Sequence, residues 1–95
     1  MKSNDRLLKD VVQDILRKYR LEDHLEETRL IENWPAVCGP MITSHTSGLF
    51  VKDKTLFVKV DSAALRQELQ YRKQTLLKLL NRSADRELIK DIVFR

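Results

Sequence analysis

Hydrophobic residues recur every three or four positions at the start of the chain: Leu7, Leu8, Val11, Val12, Ile15, Leu16 and Tyr19. That period predicts an amphipathic helix, capped by Asn4 or Asp5 and running to about Arg20. Its apolar stripe covers nearly half the circumference, more than one neighbour can bury. The stripe is therefore expected to pack on both a sheet and another helix, with contact to a partner as the alternative. A second helix is predicted from Glu22 or Asp23, whose charges suit the positive end of a helix macrodipole; Leu25, Leu30, Ile31 and Trp34 form its apolar side. Pro35 disfavours helical geometry at Trp34, so a kink or break is expected there, with Pro35 opening a further turn through Val37 and Cys38. Gly39-Pro40 punctuates again, and residues 40–45 fit a last helical turn or a loop.

The period then changes from helical to alternating. Ser47-Gly48 precedes Leu49-Phe50-Val51, Lys52-Asp53-Lys54 is expected to turn the chain, and Thr55 to Asp61 returns. In the return strand Leu56, Val58 and Val60 share one face, and Phe57, Lys59 and Asp61 the other. Asp61 or Ser62 caps a third helix to about Asn81, with Leu65, Leu69, Leu76, Leu79 and Leu80 as its buried arc. Ser83-Ala84-Asp85 connects to a final strand, Glu87 to Arg95, in which Leu88, Ile92 and Phe94 face one side. The order α-α-β-β-α-β predicts an α+β fold of one domain spanning residues 1–95: a small three-stranded sheet with helices on one face. The closing β-α-β unit makes the second and third strands parallel.

Composition agrees with a folded chain: of 95 residues 42% are apolar, with only two Gly and two Pro. No apolar run is long enough to cross a bilayer, and the opening Met-Lys-Ser-Asn-Asp has no apolar stretch of the kind a secretory leader needs. Cys38 is the single cysteine, which fits a reducing cytoplasm. The net charge of +4 is unevenly spread. Residues 1–34 hold seven Lys/Arg against eight Asp/Glu, and residues 35–95 hold eleven against six. Such asymmetry suits a polyanion on one side of the molecule, although ordinary solvated helix faces produce it too.

Nothing in the chain has the spacing of a catalytic or metal-binding set. His24, His45 and Cys38 lie in three unrelated segments, and there is no phosphate-binding glycine loop and no nucleophile elbow. A non-enzymatic module without cofactor or small-molecule substrate is expected. The third helix is the stronger candidate for binding, because Arg66, Arg72, Lys73, Lys78 and Arg82 outnumber its single acid, Glu68. Cations on accessible stems suffice to contact phosphates. On the helical wheel they are spread out: Arg66 and Lys73 flank the apolar arc, Lys78 and Arg82 lie nearly opposite it, and Arg72 falls within it. Lys52 and Lys54 of the hairpin turn could extend the surface. Phe50 and Phe57 are expected in the core; if exposed, they could stack on unpaired bases.

Several short motifs also align with one pattern: Trp34, Gly39, His45-Thr46, the strand Leu56-Phe57-Val58-Lys59-Val60, Ser62, Glu68-Leu69, Asn81 and the closing Asp91-Ile92-Val93-Phe94-Arg95. Together they resemble the DciA family, small bacterial proteins built on a KH-like domain. The resemblance implies a KH-like fold, DNA binding, preferred over RNA, and a role in loading or assisting the replicative helicase. It also directs attention to a surface that mixes apolar and charged groups as the helicase contact: Tyr19 with Glu22, Asp23 and Glu26. Leu65 stands where many members carry Trp, and the GxxG loop by which KH domains clamp nucleotides has no counterpart. A protein-interaction domain without nucleic-acid binding, and a small RNA-binding protein, are the alternatives.

Overall fold

The computed structural model describes residues 2–19 and 21–95, with backbone alone for residues 2–6. It has five helices and three strands: α1 (Lys2–Lys18), α2 (Leu21–Glu32), α3 (Trp34–Ser44), β1 (Thr46–Lys52), β2 (Thr55–Val60), α4 (Ala63–Tyr71), α5 (Lys73–Ser83) and β3 (Asp91–Phe94). The fold is α+β with a small mixed sheet, as the pattern predicts. Two extra helices arise where predicted ones break. Pro35 sits in the first turn of α3, where its missing N–H costs no hydrogen bond, so a new helix starts at Trp34. Gly39 kinks α3 with φ 85°, a left-handed conformation that glycine adopts without a Cβ clash. The predicted third helix bends at Arg72 (φ −96°, ψ 8°) into α4 and α5, with neither Pro nor Gly at the break. The bend lets Leu69 before it and Leu76 and Leu80 after it all reach the core. At the other end α1 starts two residues ahead of the predicted cap, so Asn4 and Asp5 lie inside the helix; its predicted terminus Arg20 is outside the described residues.

The strand order is β1-β2-β3, with β1 antiparallel and β3 parallel to β2. Lys52 pairs with Thr55, so the turn is only Asp53-Lys54, both with positive φ (52° and 59°). A two-residue turn with two left-handed residues matches the twist of the flanking strands. The last strand is shorter than predicted because Leu88 and Ile89 are held by a side chain in place of a ladder. Asn81 accepts at Oδ1 from the Leu88 and Ile89 amides, both at 3.0 Å, and its Nδ2 donates to the Ile89 carbonyl at 2.8 Å. Pairing resumes beyond β3, where the Arg95 amide donates to the Val58 carbonyl at 2.8 Å.

Leu56, Val58 and Val60 of β2 and Ile92 and Phe94 of β3 turn to the helices and form the core with Leu30, Trp34, Leu69, Leu76, Leu80, Leu88 and Ile89. Leu79, assigned by the pattern to the buried arc, is 38% exposed instead. Trp34 is 1% exposed; its Nε1 donates to Thr46 Oγ1 at 3.2 Å, and that hydroxyl donates to the Ile42 carbonyl at 2.8 Å. The expectation that the α1 stripe is core fails. Leu7, Leu8, Val11, Val12 and Ile15 are 46–67% exposed, because α1 packs chiefly on α2 among the described residues and extends a molecule measuring 58 × 23 × 21 Å. A helical period reports amphipathicity, not what covers the stripe.

Leu69→Ala should destabilise the fold by ~2–5 kcal/mol in urea unfolding, whereas Leu8→Ala should change it by less than ~0.5 kcal/mol. Comparable losses at both sites would place α1 in the core after all. Asn81→Ala leaves two half-buried amides without acceptors and should cost about 1–3 kcal/mol per unsatisfied group. Burial pushes the Cys38 thiol up to about 12. Since the thiolate is the reacting species, a disulfide reagent at pH 8 should label folded protein at least ~100-fold more slowly than urea-unfolded protein. Equal rates would mean an accessible thiol.

Candidate nucleic-acid interface

The seven cations suggested for phosphate contact do not form one surface. Arg66 is half-buried and its Nη2 donates to the Val60 carbonyl at 2.9 Å, tying α4 to the end of β2. Arg72 pairs with Glu68 one turn back at 3.0 Å. Lys73 pairs with Asp91 at 2.7 Å, and that contact holds the Asp91 carboxyl below its ordinary range. Lys54, at the turn tip, lines shallow depressions with Asp23 and Glu27. Lys78 and Arg82 lie together along an open groove on α5 with Gln74 and Leu77. Lys52 belongs to β1. Among the described residues no carboxylate pairs with Lys52, Lys78 or Arg82.

A different arrangement emerges on the sheet face turned away from the helices. Cross-strand register puts Gly48, Phe50 and Lys52 of β1 opposite Lys59, Phe57 and Thr55 of β2. Asp91 and Val93 of β3 lie beside Thr55 and Phe57. Phe50 and Phe57 stack, with ring centroids 4.7 Å apart and planes within 9°. The Arg95 guanidinium lies 5.2 Å from both centroids. The cation thus lies over both rings of the pair. Phe50 is 42% exposed and Phe57 half-buried, so neither belongs to the core expected for them. Two acids beside this face are already engaged: Asp91 by Lys73, and Asp61 by His45 Nδ1 at 2.7 Å.

The residues suggested for a protein contact divide. Tyr19 is 64% exposed and continues the α1 stripe, followed by the exposed Leu21 and Leu25. Asp23 and Glu26 instead converge on Arg86 across the chain, at 2.6 and 2.5 Å, which anchors α2 to the segment before β3. The Asp23 hydrogen bond raises the Arg86 pKa further above its ordinary value. Desolvation raises the nearby Glu27 carboxyl, opposed by the charge of His24. Glu22 is half-buried in the first turn of α2. Among the described residues no group of three or more His, Cys, Asp or Glu is placed to hold a metal, and no helix is long and apolar enough to cross a membrane.

Comparison with protein families matches residues 7–94 to the family described as Dna[CI] antecedent, DciA. No curated protein matches the chain. The matched span is nearly the whole chain, and the chain belongs to the DciA family, which is associated with loading of the DNA replication helicase. The motif residues that carry the resemblance are mostly framework: Trp34 binds Thr46, His45 binds Asp61, Gly39 kinks α3, Ser62 caps α4 by accepting from the Leu65 amide, and Asn81 grips residues 88 and 89.

Proposed function

We propose that this DciA-family chain takes part in loading the replicative helicase, gripping the helicase with the apolar stripe of α1 and touching DNA with its basic residues. The role is non-enzymatic and cytoplasmic. The observation that carries the reading is the uncovered stripe of Leu7, Leu8, Val11, Val12 and Ile15, continued by Tyr19 and Leu25, in a member of a family associated with helicase loading. Bare apolar patches beyond ~300–600 Å² are uncommon on monomers and mark contact surfaces. Glu22, at the root of the arm, supplies charge that sets association rate and specificity, while Asp23 and Glu26 are held by Arg86. On the DNA side Lys52, Lys54, Lys78 and Arg82 are the accessible cations, while Arg66, Arg72 and Lys73 would have to exchange internal partners for phosphates. That internal engagement favours a second reading, a protein-interaction module without nucleic-acid binding.

Two measurements separate these readings. The intact chain should capture the same organism's replicative helicase, and Leu8→Asp with Val12→Asp should lower capture at least ~10-fold while far-UV circular dichroism stays unchanged. Equal capture by both forms removes the arm from the contact, and no capture by the intact chain removes the loader reading. DNA affinity should fall steeply with salt, and Lys78→Glu with Arg82→Glu should reduce the log–log slope by roughly one unit for each phosphate no longer bound. Absence of DNA binding at low salt would leave the protein-interaction reading.

A further inference from the structure

We propose that the open sheet face is a binding platform for single-stranded nucleic acid, on which an unpaired base stacks against Phe50 while Lys52 and Lys59 hold the flanking phosphates. This rests on the nucleic-acid reading above and assigns it a site distinct from Lys78 and Arg82.

Three observations converge on it. The first is geometric. Phe57 covers one face of the Phe50 ring, and β1 is the edge strand, so no further strand covers the other. An aromatic face left 42% exposed at a sheet edge is the kind of surface on which unstacked bases pack, since every base offers a π-face whatever its sequence. The second is electrostatic. Lys52 follows Phe50 by two residues and Lys59 follows Phe57 by two, in strands that run oppositely. One cation therefore stands at each end of the ring pair, each ~7 Å away along its strand. Among the described residues neither lysine has a carboxylate partner, and the neighbouring acids Asp61 and Asp91 are engaged by His45 and Lys73. The face thus presents net positive charge around an apolar centre, the complement of a backbone with splayed bases. The third is Arg95. Its guanidinium lies over the ring pair, 5.2 Å from each centroid, and adds a third positive charge to the same face. Gly48 stands across from Lys59, where a Cβ would reach the Lys59 Cβ at 3.5 Å; its missing side chain keeps that end of the face low.

The test is fluorescence-anisotropy binding of the intact chain to labelled oligothymidylate and oligouridylate of about 12–16 nucleotides, to an abasic oligomer of equal length, and to a duplex. Wild type should bind both single-stranded oligomers at least ~5-fold more tightly than the abasic one and the duplex. Phe50→Ala and Phe50→Leu should erase that preference, and Phe50→Tyr should keep it. Lys52→Glu with Lys59→Glu should weaken all four ligands alike. Phe50 lies outside the core, so melting temperatures should stay close to wild type, and Phe50→Leu, which keeps an apolar side chain, separates stacking from folding. Preference unchanged in Phe50→Leu, with wild type still binding, would overturn the platform and leave the nucleic-acid reading to Lys78 and Arg82. Wild type binding none of the four at low salt would overturn both. The oligothymidylate and oligouridylate arms decide between DNA and RNA as the source of the strand.

Discussion

The arrangement of this small chain depends on one buried indole. Trp34 is the largest side chain in the core, and an indole enters a core at acceptable cost only if its N–H finds an acceptor. Thr46 Oγ1 is that acceptor, and it passes its own proton to the Ile42 carbonyl. Three points of the backbone are locked by this relay: the start of α3, its last turn and the first residue of β1. Once β1 is fixed at that end, the two-residue turn sets the register of β2, and β2 carries the apolar face on which α4 and α5 close. Asn81 does comparable work at the far end by replacing strand pairing for Leu88 and Ile89.

The consequence for function is that the helices are spent on one face of the sheet. A domain of this size buries only about two-thirds of its surface, and two uncovered apolar surfaces stand out here. One is the stripe on the projecting α1; the other is the ring pair on the opposite side of the sheet. The residues that identify the family lie mainly between them, in hydrogen bonds that hold the frame. Membership therefore says more about how the chain folds than about which atoms touch a partner.

Much of the fold was legible. The helical period of α1, the alternation in β2, the Pro35 break and the parallel third strand all follow from local pattern, and the structure has them. Three things were not. The bend at Arg72 has no breaker residue and is chosen by packing of Leu69, Leu76 and Leu80. The pairing of Lys73 with Asp91 and of Arg86 with Asp23 joins residues far apart in sequence, and the first of these means that the basic content of the third helix overstated its free charge. The ring stack was hidden by one residue of turn length. A three-residue turn over Lys52-Asp53-Lys54 sets Phe50 against Leu56, whereas the Asp53-Lys54 turn sets it against Phe57. Two adjacent positive φ values at Asp-Lys are unusual enough that residue preferences alone do not announce them.

The central claim is that two separate uncovered surfaces serve two ligands on a frame that does not move. Amide chemical-shift mapping of the isotopically labelled chain, titrated first with oligothymidylate and separately with the helicase, tests it directly. The account predicts that the oligonucleotide shifts amides of β1 and β2 around Phe50 and Phe57, that the helicase shifts or broadens α1 from Leu7 to Tyr19, and that the Trp34 indole resonance stays in place in both. Overlapping shifts from the two ligands, or displacement of the Trp34 indole by either, would contradict it.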